Sequence, residues 1–249
     1  MNEHFPIDRR SGVSAWKQIA DQISRSIISG EYDETGMVPP ETVLAERFGV
    51  NRHTVRNAIA ALAEDGMLRR VQGRGTLIEK RERLVYPVGR RTRFHDGLGS
   101  QANDLESRLL SAQSITAPEQ VAAALGMPLT DALAVKLETL SMADGEPISF
   151  SNHYFDAHRF PDMASHFEHH HSITRALAAQ GVEDYVRVST EVTGRMATAE
   201  ESARLRLSST AVVLETLAVN ADSSGQAIQF SRSIFAAERI TLRLETQGL

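Results

Sequence analysis

The residues best suited to chemistry form a short polar run at 51–57, in which two arginines recur at helical spacing. Arg52 and Arg56 are four positions apart, so they lie on one face of a helix. A guanidinium can donate two parallel hydrogen bonds to guanine, which discriminates between bases by about 1–3 kcal/mol. The polar residues around them can reach phosphates or base edges, namely Asn51, His53, Thr54 and Asn57. This pattern predicts a helix that reads the major groove of double-stranded DNA.

A second candidate for DNA contact is the sequence Gln72-Gly73-Arg74-Gly75. Its glycines allow the backbone to approach a duplex closely, and Arg74 between them could enter the minor groove. Residues 69–93 contain nine Lys and Arg against two Glu. A local cationic patch attracts phosphates even when the whole chain is acidic. A solvated charged linker is the alternative explanation of this charge run.

A further set of cationic and hydroxyl side chains suits a small phosphate-like ligand, which requires charge-assisted hydrogen bonds. Its members are Thr92, Arg93, Ser151, His153, Ser231 and Arg232. Ser151 and Ser231 occupy equivalent positions in two similar stretches of sequence, so we expect them to face one cleft. The alternative is that Arg93 belongs to a linker on the DNA side and that both serines are ordinary strand residues.

The sequence also disfavours metal binding and enzyme chemistry. A histidine cluster offers a pair of ligands at helical spacing but no evident third ligand, so a solvated helix surface is the favoured explanation. The cluster consists of His166, Glu168, His169, His170 and His171. An enzyme would need a convergent acid–base set, for which Glu138, Glu215 and His153 are candidates without a nucleophile motif. We predict no catalytic residue, no cofactor and no metal site.

Apolar periodicity predicts the elements that position the DNA-reading residues. Helices are expected at 14–29, 40–48 and 51–65, and two short strands at 67–72 and 76–79. In the first helix apolar residues recur every three or four positions from Trp16 to Ile27, which indicates one buried face. Asn51 is a favourable N-cap for the third helix. This order of elements is that of a winged helix-turn-helix.

The C-terminal half contains an internal repeat of helix, strand, turn and strand. Thr116 and Thr198 each begin a Thr-Ala-x-Glu sequence, which predicts a capping box with Thr at the N-cap. The strands are expected around 138–140 and 215–217 and at 147–151 and 227–231, with a further helix at 165–180. Two such copies predict a pseudo-symmetric sheet with helices packed on it, which is a mixed α/β fold.

Charge distribution divides the chain of 249 residues into two parts. Residues 1–85 carry 13 Lys and Arg against 12 Asp and Glu, whereas residues 86–249 carry 14 against 20. The acidic part argues against a structural nucleoid protein. We expect a DNA-binding domain at 1–79, a linker at 80–92 and an effector-binding and dimerisation domain at 93–249. The chain has no cysteine, no apolar leader and no membrane-length apolar run, so a cytoplasmic protein with no membrane partner is predicted.

Residues 14–79 resemble the DNA-binding domain of GntR-type bacterial regulators. The matching stretches are Gln18-Ile-Ala-Asp-Gln22, Ile28-Ser-Gly-Glu31, Leu44-Ala-Glu-Arg-Phe-Gly-Val50, Thr54-Val-Arg56 and Gln72-Gly-Arg-Gly-Thr76. In that family the recognition helix and the wing tip contact DNA, which implies contacts from Asn51, Arg52, His53, Thr54, Arg56, Gln72 and Gly73. The usual Leu-Pro-Ser-Glu is Val38-Pro-Pro-Glu41 here, and Thr42 stands where an Arg often binds phosphate.

Residues 90–245 are similar to the UTRA effector domain of the HutC subfamily, whose fold resembles chorismate lyase. The similarity rests on Asp144-Gly-Glu-Pro147, Phe230-Ser-Arg232 and Ala237-Glu-Arg239. The segment from Arg90 resembles the start of the effector domain in regulators of phosphonate metabolism, which implies that Thr92, Arg93 and Phe94 bind an anionic group. Glu138 and Thr139 stand where many members carry an Arg, which argues against a sugar-phosphate effector. The resemblance implies a homodimeric repressor that a small anion releases from its operator.

Overall fold

The computed structural model describes residues 7–8, 11–64, 66–79, 83–91, 97–208 and 210–244. The chain divides into two compact units, Met1–Glu82 and Arg83–Leu249. In the part of the chain that is described, no helix is both long and apolar enough to cross a membrane.

The first unit has the predicted order of helices and hairpin. Within its described residues it contains α1 (Ala15–Ile28), β1 (Met37–Val38), α2 (Glu41–Phe48), α3 (Arg52–Glu64), β2 (Leu68–Val71) and β3 (Gly75–Ile78). Strands β2 and β3 pair antiparallel, and β1 pairs with the other side of β3. The sequence did not predict β1 because two residues are too few to show a period. The arrangement is a winged helix-turn-helix with a three-stranded wing.

The core of the first unit is built from the apolar faces of its helices. Ile19 and Ile23 of α1 are fully buried, and Val55 and Ile59 of α3 pack into the same core. Trp16 was predicted to share the buried face of α1, but it is 39% exposed and does not belong to the core that Ile19 and Ile23 form. Burial of one face of α3 leaves its opposite face free for solvent.

The second unit is built on one antiparallel sheet of six strands in the order β5-β6-β7-β10-β9-β8. Its described elements are β4 (Leu84–Val88), β5 (Leu105–Thr116), α4 (Glu119–Leu125), β6 (Leu133–Ala143), β7 (Glu146–Asp156), α5 (Met163–His170), α6 (Ile173–Ala178), β8 (Tyr185–Met196), α7 (Ala199–Leu205), β9 (Val212–Asp222), β10 (Ala227–Ala236) and β11 (Ile240–Leu244). The two copies of the repeat form the two halves of the sheet, which meet where β7 pairs with β10. Each copy begins with a strand, β5 or β8, that the sequence did not predict.

The helices of the repeat cover one face of the sheet. Helix α4 packs against Phe230, and α7 packs with its Leu205 against Phe150. The capping box predicted at Thr198 is present, but the one predicted at Thr116 is wrong, because α4 begins two residues later with Pro118 at its N-cap. A proline disfavours the α conformation of the residue before it, so the helix cannot begin at Ala117.

The opposite face of the sheet is covered by α5 and α6 and by a two-stranded parallel ribbon of β4 and β11. Strand β4 lies inside residues 80–92, which were predicted to form a linker. Its Tyr86 is 5% exposed and stacks on Phe235 of the sheet, with ring centroids 5.6 Å apart. The linker prediction is therefore wrong for 84–88, because the apolar residues among its charges are part of the core.

Candidate functional site

The exposed face of α3 carries the residues predicted to read DNA. Asn51 precedes the helix, and its side-chain oxygen accepts hydrogen bonds from the Thr54 backbone N–H at 2.8 Å and from the Thr54 hydroxyl at 2.9 Å. Asn51 is thus the N-cap that the sequence predicts. Arg52 and His53 are exposed, and the Arg52 side chain makes no hydrogen bond to any residue that the structure describes. The capped first turn of α3 therefore presents a guanidinium and an imidazole to solvent.

Arg56 is held in place by a carboxylate of the preceding helix. Its Nε lies 3.3 and 3.2 Å from the Glu41 oxygens, and its Nη2 lies 3.0 Å from Glu41 Oε2. These bonds lower the pKa of Glu41 below its usual range. Arg70 of β2 donates to the Arg56 carbonyl at 3.0 Å and lies 3.8 Å from Glu41. Glu41 thus occupies the edge of the Arg56 guanidinium that carries Nε and Nη2, and the edge that carries Nη1 stays open.

The tip of the wing is a tight turn between β2 and β3. The Arg74 backbone N–H donates to the Val71 carbonyl at 3.0 Å, and Gly73 has φ +78°. This conformation is the one that favours glycine at the third position of a type II turn. Gln72, Gly73 and Arg74 are all exposed, so the tip can approach a duplex without obstruction from its own unit.

A cavity of about 500 Å³ lies in the second unit between the sheet and its cover of α5, α6, β4 and β11. Hydroxyl side chains of the sheet strands form much of its lining, namely Ser107, Thr139, Ser141, Ser149, Ser151, Thr190, Thr216, Ser231 and Ser233. Ser151 donates to Ser233 across the central strand pair at 2.8 Å. Such a lining can hydrogen-bond a polar ligand from many directions.

The predicted ligand-site residues are partly brought together in this cavity. Ser151, His153 and Ser231 all line it. Arg232 does not, because successive strand residues point to opposite faces, and its guanidinium instead binds Glu215 and Glu201 on the face that α7 covers. The prediction that Arg232 belongs to the same ligand site is therefore wrong. Thr92, Arg93 and Phe94 lie outside the described residues.

The charges around the cavity favour an anion. Arg175 and Arg187 both line it. Among the described residues that line the cavity, Glu106 is the one acidic side chain, and it is paired with Arg108 at 2.7 Å. The hydrogen bond from Arg108 lowers the pKa of Glu106, so this carboxylate is ionised and already has a partner. A ligand that enters the cavity therefore meets many hydroxyl groups and an excess of positive charge.

His153 is part of a series of hydrogen-bonded side chains along the sheet. Its Nε2 lies 3.1 Å from Thr139 Oγ1, and its Nδ1 lies 2.9 Å from Gln229 Nε2. The Asn220 amide donates to Gln229 Oε1 at 2.7 Å, and Arg187 Nε lies 3.5 Å from Asn220 Oδ1. Burial, with Arg187 nearby, lowers the pKa of His153 to about 4. The imidazole is therefore neutral at ordinary pH.

Five polar residues that line the cavity were not assigned to the ligand site from the sequence, namely Thr139, Arg175, Arg187, Asn220 and Gln229. A signal for part of the cavity was present, because the central strands carry polar residues at every second position. The two runs are Ser149-Phe-Ser151-Asn-His153 and Gln229-Phe-Ser231-Arg-Ser233. Polar side chains on the alternate positions of a central, covered strand indicate a polar cavity on that face.

The histidine cluster borders the cavity on the side of α5. The His166 and His170 rings stack with centroids 6.3 Å apart, and His170 and His171 line the cavity. Across the described ranges of the chain, no three His, Asp or Glu side chains converge as metal ligands would.

Comparison with known proteins agrees with these two sites. Residues 15–78 match the gntR family of bacterial regulatory proteins, and residues 100–241 match the UTRA domain. An uncharacterised HTH-type transcriptional regulator of Rhizobium meliloti (strain 1021) is 51% identical over 96% of this chain and 98% of its own. The HTH-type transcriptional repressor NagR of Bacillus subtilis (strain 168) is 27% identical over 94% of this chain and 96% of its own.

Among solved structures, the crystal structure of PhnF from Mycobacterium smegmatis has the same fold, with a TM-score of 0.64 and 24% identity over 93% of this chain and all of that one. The resemblance inferred from the sequence is thus confirmed for both parts. The chain belongs to the gntR family of bacterial regulatory proteins with a UTRA domain as its second part, and it is a DNA-binding transcription regulator rather than an enzyme.

Proposed function

We propose that the protein is a homodimeric repressor that binds a pseudo-palindromic operator in the cytoplasm and leaves it when a small anion binds the second unit. Two recognition helices in successive major grooves must lie about 34 Å apart, which two chains can supply. The anion acts if it favours a conformation of the dimer with a different helix separation. Repression is supported by the relative from Bacillus subtilis, which is named as a repressor.

The DNA-binding part of the proposed function rests on the exposed cationic face of α3 and on the glycine-flanked wing tip. Arg52 is free to donate to a base, and Arg56 keeps one guanidinium edge open. Asn51, His53 and Thr54 surround them, and the tip supplies Gln72, Gly73 and Arg74. We assign base reading to the two arginines and backbone contact to the other residues.

The observation that carries the ligand part is the cavity with its hydroxyl lining and two arginines. We assign ligand contact to Ser151, His153 and Ser231, together with Arg187. Thr92, Arg93 and Phe94 keep the role that the resemblance implies. Because the segment from Arg90 resembles regulators of phosphonate metabolism, phosphonates are the first ligands to test.

The DNA-binding part is tested with an operator selected from random duplexes by the wild-type protein. Arg52→Ala should reduce operator affinity by about 10- to 100-fold at fixed salt, which corresponds to one lost guanine contact. Arg25→Ala, a control on α1, should retain wild-type affinity. Equal operator affinity of Arg52→Ala and wild type in gel-shift titrations would contradict the assignment.

The ligand part is tested by calorimetry with phosphate and methylphosphonate, followed by gel shifts in the presence of any anion that binds. We expect binding that Arg187→Ala weakens at least 10-fold, and release of the operator by the same anion. A wild-type protein whose operator affinity does not respond to any bound anion would overturn the proposed control.

A further inference from the structure

The hydrogen-bonded series on the cavity wall has a fixed direction, because Arg187 can only donate. Asn220 must turn its carbonyl oxygen toward Arg187, and its NH₂ group therefore faces Gln229. Gln229 accepts with its own carbonyl and donates from its NH₂ group to His153. Because only an unprotonated ring nitrogen can accept that hydrogen bond, Nδ1 of His153 carries no proton.

The direction continues through the imidazole. A neutral histidine carries one N–H, so the proton of His153 is on Nε2 and is donated to Thr139 Oγ1. A doubly protonated ring would place an N–H against the NH₂ group of Gln229, and the low pKa of His153 agrees with its absence. Thr139 donates to no side chain that the structure describes, so its hydroxyl hydrogen remains available. Thr139 is 2% exposed and lines the cavity.

We propose that Thr139 is the donor end of this series and that the cavity binds its ligand by an oxyanion oxygen that accepts the Thr139 hydroxyl hydrogen. The ligand is then a carboxylate, phosphate or phosphonate. A group that can only donate, such as an ammonium, is disfavoured at this position, because it leaves the Thr139 hydroxyl hydrogen without an acceptor. The inference rests on the proposed function, because it names the atom and the polarity by which the proposed anion site works.

Two features of the cavity strengthen this polarity. Aligned hydrogen bonds polarise one another, so the positive charge of Arg187 makes the Thr139 hydroxyl a better donor. The carboxylate of Glu106, which would otherwise compete for cavity donors, is bound by Arg108. Both features favour an acceptor with negative charge over a neutral one.

The first test requires no ligand. Long-range ¹H–¹⁵N spectra of full-length protein with ¹⁵N-labelled histidine, at pH 7, should give a neutral ring with the proton on Nε2 for His153. The resonance is assigned by its loss in His153→Gln. A proton on Nδ1, or on both nitrogens, would overturn the inference.

The second test titrates the same sample with inorganic phosphate, methylphosphonate and acetate, with ammonium chloride as the donor-only probe. At least one oxyanion should shift the His153 ¹⁵N resonances, and ammonium should not. Thr139→Val, which keeps the shape and removes the hydroxyl, should weaken oxyanion binding by about 10- to 100-fold. The matched control is Thr193→Val, an exposed threonine of β8 that does not line the cavity.

Each result decides the inference separately from the proposed function. Absence of any oxyanion response at His153, or equal affinity of Thr139→Val and wild type, would reject the ligand class even if the proton is on Nε2. An oxyanion that binds at Thr139 and leaves operator affinity unchanged would support this inference and reject ligand-controlled repression.

Discussion

Arg52 and Arg56 differ in how firmly the protein holds them, although both lie on the exposed face of α3. The Arg52 side chain has no hydrogen bond to a described residue, whereas the Arg56 side chain makes a side-on pair with Glu41 and is flanked by Arg70. A guanidinium that is already oriented loses less side-chain entropy when it binds guanine. A negative charge beside DNA also repels phosphates, so Glu41 should favour specificity over total affinity.

The change Glu41→Gln should lower affinity for the selected operator by about 10-fold and leave affinity for a scrambled duplex equal or higher, because it weakens the Arg56 pair and removes a repulsive charge. The measurement is a pair of gel-shift titrations at one salt concentration. Glu46→Gln removes the same charge from an exposed position of α2 and should not change the ratio of the two affinities. A loss of equal size on both duplexes would show that Glu41 has no part in specificity.

His153 makes the stability of the second unit sensitive to acid. Its pKa is about 4 in the folded protein against an ordinary value of 6.5, so the unfolded chain takes up the proton first as pH falls. The contribution of His153 to the free energy of unfolding is complete above pH 6.5 and is lost progressively between pH 6.5 and about 4. Urea unfolding at several pH values should show this slope in wild type and a flatter one in His153→Gln.

A matched variant separates His153 from the other histidines of its unit. His169→Gln alters an exposed residue of α5 and should keep the wild-type pH dependence. The assignment fails if His153→Gln retains the full acid slope.

At the scale of elements, the sequence predicted what amphipathic periodicity and caps encode. Helices α1, α2 and α3 and the hairpin were found because one face of each is apolar and a cap or glycine marks the ends. Strands β5 and β8 were missed because they are edge strands with many exposed positions, so apolar and polar residues do not alternate regularly. The cavity was only partly predicted, because strand register brings Thr139, Gln229 and Arg187 together from different strands. No local sequence pattern encodes that register.

The two threonines that begin similar sequences give a test of cap assignment. Thr198 accepts a hydrogen bond from the Glu201 backbone N–H, and Glu201 in turn accepts from the Thr198 N–H. Thr198→Ala should lower the free energy of unfolding by about 1 kcal/mol. Thr116→Ala should cost much less, because Thr116 lies at the end of β5 and caps no helix. Equal losses in urea unfolding would contradict this reading of the two helix starts.

At the scale of the whole molecule, the proposed operator binding depends on two chains acting together. Each described unit has its own buried core, so a chain can present one recognition helix and one cavity without help from a partner. A second chain adds a second recognition helix, and linked binding events raise total affinity by about 100-fold or more.

Sedimentation of the full-length protein should therefore give a dimer, and a duplex with one half-site should bind at least 100-fold more weakly than the complete operator. The comparison uses duplexes of equal length in which one half-site is scrambled. A monomer in solution that binds both duplexes equally would contradict the homodimer.

The meeting of the two repeat copies at β7 and β10 has a consequence for how many ways a ligand can bind. A perfect duplication would offer two equivalent poses related by half a turn about the point where Asn152 faces Arg232. That turn exchanges Ser151 with Ser231, but it also exchanges His153 with Ser233, so the two poses are no longer equal in energy. Divergence between the copies has thus removed the two-fold symmetry of the cavity wall that β7 and β10 form. We therefore expect each chain to bind one ligand in a single orientation.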